Sequence, residues 1–345
     1  MKRKITAMPD LSIIIPYAGE YPHLHYTLQS LWCDLNGVVD FEVLAIRNGP
    51  KTTQQGFPDG HPLHDNEAAI RVMTDDFRRT PWLRHLEYSE KLSCWGARNF
   101  GVRESRAENL LFLDAHCGFG GLWFTRGLRY WLDTGNGEPC HFPIADFLKP
   151  DDQWKQYAID VDMDSGIFSH HNTAYDGRRD NRFDDTIGWK SVPASPNCGL
   201  MCRKDIITDV LEYWPDELGQ YGGGENYFNG TMALTGHEIT MIDPGRPIYH
   251  WHIPGVWSRD HKPTVQSWAR NIMIATYLVC GEEWLHRLMQ KAHEKFYPIN
   301  TASPIHTGKY LEEILESGSL RARRERIKAK SVTTIEEWAK KWSTK

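Results

Sequence analysis

Apolar residues alternate between short runs and helical stripes along the first third of the chain. Leu11 to Pro16 is a β-branched run stopped by proline, which predicts a buried parallel strand. Leu24, Leu28, Leu31 and Trp32 then recur at helical spacing and predict a helix. Phe41 to Ile46 predicts a second strand, closed by the turn Asn48-Gly49-Pro50. Lys51 to Asp65, polar with Gly and Pro, reads as a surface loop; a helix near Glu67 to Arg79 and a short strand near Leu83 to Tyr88 follow. Ala97 to Ala107 predicts a helix that feeds the apolar strand Asn109 to Leu113. Such alternation predicts an α/β fold on a doubly wound, Rossmann-like, mostly parallel central sheet flanked by helices. Ligands of such sheets bind beyond the carboxyl ends of the strands, where Asp114-Ala115-His116 stands.

The pattern loosens after that point. Lys149 to Lys190 is rich in Asp, Gly, Arg and His and predicts irregular structure or an antiparallel excursion carrying part of an acceptor site. Asn197 to Cys202 predicts a strand, with a helix from Lys204. Gly222-Gly223-Gly224-Glu225 breaks the chain before a helix ending near Gly236. Glu238 to Ile242 and Pro247 to Trp251 are strand candidates, and beyond Thr264 the pattern is helical. No repeat or low-complexity linker divides the chain. The expected organisation is a catalytic domain over 1–285, with halves 1–120 and 121–285, and a helical, basic C-terminal extension over 286–345.

Composition narrows the class. The 345 residues carry a formal net charge of −5, so the chain as a whole is no polycation. The run Arg321, Arg323, Arg324, Arg326, Lys328, Lys330 is its densest basic stretch. Phosphate contact is one reading of that run, and a solvated helix face the more ordinary one. Seven scattered cysteines show no disulfide framework; Cys198 and Cys202, with no nearby His to complete a zinc set, read as core thiols. This usage fits a reducing, cytoplasmic compartment. The basic N-terminus lacks the apolar stretch of a signal peptide, and no run reaches the length of a membrane span.

The chemistry-bearing residues begin with Asp114 and His116, which alternate after a strand and so point into one cleft. A carboxylate with an imidazole suits Mn2+ (or Mg2+), which would neutralise a departing diphosphate. A third ligand must come from elsewhere. His250 and His252 share one face of the extended stretch PIYHWH, with His250 preferred. A chain with sixteen histidines makes any single one more ordinarily a hydrogen-bonded residue than a ligand.

Four segments in order carry a resemblance. LLFLDAHCGFGGLWFTRGL, SPNCGLMCRKDI, YGGGENYFNGTMALTGHEITMID and PIYHWH resemble the metal-bearing and following segments of polypeptide N-acetylgalactosaminyltransferases. SWARNIMIATYLVCGEEW is similar to the helix behind that family's catalytic loop, and SIIIPYAGEYPHLHYTLQSL with GARNFGVRES resembles family-2 glycosyltransferases. The likeness covers roughly Leu11 to Trp284 and implies a GT-A fold, a nucleotide-sugar donor of the UDP-sugar kind (UDP-GalNAc or UDP-Glc type), and a divalent metal. It implies that Asp114, His116 and His250 hold the metal, and that Glu225, Asn226 and Tyr221 surround the reacting sugar. Pro16, Tyr17, Ala18, Glu20, Asn48, Arg98 and Gly223 would line the donor, with Arg259 and His261 on a lid over 253–263. Physics is consistent with these roles: glycines admit backbone close to a ligand, a carboxylate accepts a hydroxyl proton, and arginine binds phosphate. For Glu225, a helix N-terminal carboxylate favouring the dipole is the plainer alternative. This chain departs from the family at Arg47-Asn48-Gly49, where an acidic residue usually stands near the nucleoside.

These implications leave a glycosyltransferase whose acceptor is a glycan precursor, or a phage-type DNA glycosyltransferase acting on 5-hydroxymethylated pyrimidine bases. A base on the far face of the sugar gives inversion; attack from the leaving-group face gives retention. A non-catalytic glycan-binding protein on the same fold is the remaining class.

Overall fold

The computed structural model describes residues 8–18, 23–49, 82–119, 121–134, 137–146, 155–162, 167–174, 188–243, 247–250, 265–296 and 307–342. The expected surface loop 51–65, helix 67–79 and lid 253–263 lie outside these residues, as do Glu20, His252, Arg259 and His261.

The alternating half comprises β1 (Leu11–Tyr17), α1 (His23–Leu35), β2 (Phe41–Asn48), β3 (Leu83–Tyr88), α2 (Cys94–Glu104) and β4 (Asn109–Phe112). There follow β5 (Cys117–Gly118), α3 (Leu122–Thr134), β6 (Cys140–His141), β7 (Ile144–Asp146), β8 (Lys155–Asp162), β9 (Ile167–Ala174), β10 (Gly188–Ser191) and β11 (Leu200–Arg203). The remainder is α4 (Gly224–Thr235), β12 (Thr240–Asp243), β13 (Ile248–His250), α5 (Val265–Val279), α6 (Glu282–Phe296), α7 (Thr307–Glu316), α8 (Gly318–Lys330) and α9 (Ile335–Trp342).

Among the described residues one sheet runs β10-β12-β6-β11-β4-β1-β2-β3. Strands β1 to β4 are mutually parallel, β11 opposes β4 and β6, and β10 opposes β12. A second sheet runs β5-β13-β7-β8-β9, and its antiparallel β8–β9 hairpin is the excursion expected between 149 and 190. No described helix is long and apolar enough to cross a membrane.

Period-two alternation explains how the main sheet is sandwiched. Ile14 faces one buried cluster with Trp95, Trp214, Phe228 and Met273, while Leu11, Ile13 and Ile15 face the other with Leu24, Leu28, Phe124 and Trp131. Leu320, Ile327 and Ile335 of the C-terminal helices belong to the first cluster, together with residues of α4 and α5.

Local chemistry moves several boundaries. Helix α2 starts at Cys94 rather than Ala97 because the Ser93 hydroxyl accepts the Gly96 N–H at 3.0 Å and caps the helix. Strand β11 starts at Leu200, since Gly199 before it turns with φ of 80°. The helix expected from Lys204 is one short turn that widens into a π-turn at Ile206–Val210. Glu212 and Tyr213 then adopt φ of 55° and 65°, left-handed values that cost roughly 1–3 kcal/mol each in non-glycine residues. Arg323 of α8 donates to both their carbonyl oxygens at 2.9 Å. The basic run is therefore not a bare solvated face. Arg324 donates to the Tyr277 carbonyl at 2.8 Å, Arg326 and Lys330 pair with Glu212 at 2.6 Å, and Arg321 donates to the Leu315 carbonyl at 2.8 Å.

His141 in β6 is fully buried and donates from Nδ1 to the Phe142 carbonyl at 2.9 Å, while its Nε2 has no partner. Burial pushes its pKa down from 6.5 to about 4. A depressed folded pKa means that the unfolded chain binds the proton first. The stabilising contribution is thus intact above pH 6.5 and is lost as pH falls towards 4, amounting to about 3 kcal/mol in all. Urea unfolding across that range should show a steeper loss for the wild type than for His141→Gln; parallel losses would contradict this origin.

Candidate active site

The carboxyl ends of β1, β2 and β4 form one rim, and Asp114 follows β4 onto it. Two pairings decide what meets Asp114 there. Cys117 in β5 lies opposite His250 in β13, so a strand from far along the chain is laid beside the Asp-Ala-His turn. Leu200 in β11 lies opposite Phe112 in β4, and the Gly199 N–H donates to the Phe112 carbonyl at 2.7 Å. Just before β11 and across the Gly199 turn, Cys198 brings its sulfur within 4.8 Å of an Asp114 carboxylate oxygen.

The result is a tight constellation. His250 Nε2 is 3.1 Å from Asp114 Oδ2 and 3.0 Å from His116 Nε2. Arg98 Nη2 donates to Asp114 Oδ1 at 2.9 Å. Arg98, His116 and His250 are buried, while Asp114 keeps a third of its side chain exposed at the cleft. Burial works to raise the Asp114 carboxyl, but the hydrogen bond from His250 and the Arg98 charge outweigh it and hold the group well below the usual carboxylate range. Asp114, Cys198 and His250 each offer a ligand atom within 4.8 Å of the other two.

These residues fit a divalent transition metal. His250 Nε2 is the hub, with an Asp114 carboxylate oxygen at 3.1 Å and the His116 Nε2 at 3.0 Å. A single imidazole proton at His250 Nε2 can serve only one of the two contacts at a time. An ion accepting a lone pair from each atom satisfies all of them.

Other elements hold the rim in shape. Arg98 also contacts Cys94 Sγ and lies 5.5 Å from the Trp95 ring. Thr27 Oγ1 accepts the Cys117 N–H at 2.9 Å and stands 3.0 and 2.9 Å from the Ala115 and Cys117 carbonyl oxygens, to one of which its own proton goes. It fixes the Asp-Ala-His turn from α1. Sequence reasoning passed over Thr27, although a hydroxyl inside the Leu24–Leu28–Leu31 stripe was a readable signal. Asn48 accepts the Ser93 N–H at 3.0 Å, which ties β2 to the start of α2. Tyr17 is buried with its hydroxyl 2.6 Å from His85 Nε2, and Ala18 follows it at the end of β1. Pro16 is half-buried beside them. Arg47 is buried and paired with Glu87 at 2.9 Å, yet its Nε and Nη1 have no partner.

Glu225 occupies the first turn of α4, close enough to Arg98 to act on its charge, and Asn226 next to it is buried. Tyr221 is half exposed, and its carbonyl accepts from Asn271 at 2.7 Å. The three glycines before Glu225 make a close approach to protein rather than to open cleft. A Cβ at Gly222 would stand 2.4 Å from Trp268, at Gly223 2.3 Å from the Asn271 carbonyl, and at Gly224 2.5 Å from Trp95. The reading of Cys198 as a plain core thiol also changes. It is buried, 3.4 Å from Cys117 Sγ, but it belongs to the Asp114–His250 group.

Neither a family model nor a curated protein sequence matches the chain. Solved structures do match it. GalNAc-T7, solved with UDP, GalNAc and Mn2+, aligns with a TM-score of 0.58 at 13% identity, over 94% of this chain and 57% of its own. TarS 1–349 of S. aureus in complex with UDP-GlcNAc aligns with a TM-score of 0.51 at 12% identity, over 93% of this chain and 84% of its own. The same TarS fragment without that ligand gives 0.50 at 14% identity. The chain therefore has the GT-A fold. It spans little more than half the length of the GalNAc-T7 chain that it matches.

Gly223 has φ of 74° as well as a backbone oxygen where a Cβ would go, whereas Gly121 has φ of 67° and open space. Gly223→Ala should destabilise by more than the roughly 1–2 kcal/mol of left-handed strain expected for Gly121→Ala. Equal midpoint shifts in denaturant would show that the packing at Gly223 is looser than described.

Proposed function

We propose that this protein is a metal-dependent glycosyltransferase that moves a sugar from a UDP-sugar type donor to a hydroxyl acceptor. The observation that carries the reading is His250 Nε2 at the carboxyl rim of a GT-A sheet, set 3.1 Å from Asp114 Oδ2 and 3.0 Å from His116 Nε2. The neighbours add support, because GalNAc-T7 was solved with UDP, GalNAc and Mn2+, and TarS with UDP-GlcNAc.

Asp114, His116 and His250 would hold the cation. A divalent ion there neutralises charge on the departing nucleotide diphosphate. Arg98 keeps Asp114 ionised and oriented, and its buried Nε, which has no partner, remains as a donor. Arg47, with two buried N–H groups unpartnered at the end of β2, offers donors to acceptor atoms of the nucleotide. Pro16, Tyr17 and Ala18 end β1 on the same rim and would line the nucleoside. Glu225 accepts a hydrogen bond from a sugar or acceptor hydroxyl, with Asn226 and Tyr221 beside it.

A glycan precursor is the acceptor class we favour over modified DNA. The DNA reading drew on the basic run near the C-terminus. Arg321, Arg323, Arg324, Arg326 and Lys330 are engaged by carbonyls and carboxylates of this same chain, so less of their charge is left for phosphates.

The test is donor hydrolysis and thermal shift with UDP-sugars, with and without Mn2+. The wild type should gain stability from donor and metal together. Asp114→Asn, which keeps the shape and removes the charge, should lose roughly 100-fold or more in turnover. Full turnover by that variant, or in the presence of a chelator, would overturn the assignment.

A further inference from the structure

We propose that Cys198 is a fourth protein ligand of the Asp114–His116–His250 centre, and that its thiolate makes the site select a thiophilic borderline cation such as Zn2+ over Mg2+. This rests on the reading of the centre as a metal site and specifies which ion that site prefers.

Three observations lead there. First, the Cys198 sulfur, an Asp114 carboxylate oxygen and a His250 ring nitrogen lie within 4.8 Å of one another. Bonds of about 2.0–2.3 Å keep ligand atoms within about 4.6 Å across an ion, so this spread closes with a small movement. Second, the position of Cys198 is set by backbone. Antiparallel pairing of β11 with β4 runs to Leu200 opposite Phe112, and Gly199, where a Cβ would stand 2.8 Å from Ile248, turns the chain with φ of 80° so that Cys198 comes to Asp114. Third, Cys198 is a free, buried thiol in polar contact with another thiol, Cys117, at 3.4 Å. A thiol–thiol contact is weak and yields readily to a metal.

The other nearby thiols are placed differently. His116 reaches the group of mutually close ligand atoms through His250 Nε2 at 3.0 Å, whereas Cys94 is occupied by Arg98 and Cys117 contacts the group through the Cys198 sulfur at 3.4 Å. On binding, Cys198 coordinates as the thiolate and its proton leaves to solvent. Carboxylate and water ligands suit Mg2+ and Mn2+, whereas thiolate with imidazole suits Zn2+ and Co2+. A set of two imidazoles, one carboxylate and one thiolate therefore differs in preference from the same set without sulfur.

The experiment uses the full chain, reduced, titrated with Co2+ as a spectroscopic stand-in for Zn2+. The wild type should show a near-ultraviolet sulfur-to-cobalt charge-transfer band along with the visible bands of bound Co2+. Cys198→Ser and Cys198→Ala should lose the charge-transfer band and keep the visible ones, while Cys117→Ser and Cys94→Ser keep both. In competition, loss of Cys198 should weaken Zn2+ by on the order of tenfold or more and leave Mn2+ almost unchanged. Visible bands that Asp114→Asn abolishes, with no charge-transfer band in the wild type, would overturn the role of Cys198 and leave the metal centre standing. Absence of Co2+ binding, or binding that Asp114→Asn does not alter, would overturn the metal centre itself.

Discussion

A guanidinium buried beneath the rim of the sheet is the constraint on which the site depends. Arg98 is almost wholly removed from water, and arginine cannot shed its charge to make burial easier. It needs a fixed negative partner, and that partner is Asp114. The pairing locks α2 against the end of β4. It also obliges His250, brought in by β13, to meet a carboxylate that stays ionised. What looks like a ligand set is thus equally the solution to a solvation problem. The carboxylate divides between them, with Oδ1 held by Arg98 and Oδ2 turned towards His250.

Around this point the loops are held by amide side chains used as brackets. Asn99 donates to and accepts from the backbone of Trp214 at 2.8 and 3.0 Å. Asn229 does the same for Ser195 at 3.0 and 2.9 Å. Asn271 joins Gly219 to Tyr221 across the turn that leads to Glu225. Each replaces missing strand partners with a side chain carrying one donor and one acceptor in fixed geometry. The walls are therefore set before any substrate arrives, which is how irregular backbone can present a precise surface.

The parallel half of the fold was legible because its strands are apolar on both faces and its helices carry clean stripes; β1, β2, β4 and α4 fell where the pattern put them. Asp114, His116 and His250 were singled out through position after a strand and through resemblance, and the fold sets His250 beside the other two. What stayed hidden depends on register. Cys198 has no histidine near it in sequence, and only the antiparallel return of β11 along β4 brings it to Asp114. Likewise Ser93 outranked the apolar pattern in starting α2, since a cap acts through one hydroxyl and leaves no periodicity. The engagement of the basic run stayed hidden for the opposite reason. Its charges form a visible block, but the carbonyls that absorb them carry no signature in the residue types around them.

Two of those carbonyls belong to the contorted turn at Glu212 and Tyr213, and the guanidinium that holds them comes from far along the chain. Arg323 stands 111 and 110 residues beyond Glu212 and Tyr213, so the contact forms once α8 docks. Until then the turn has no clasp, and the apolar face that Leu320 and Ile327 cover stays open. Folding of this turn is accordingly tied to a contact of long sequence separation, whose loop-closure entropy is met before the contact rewards it.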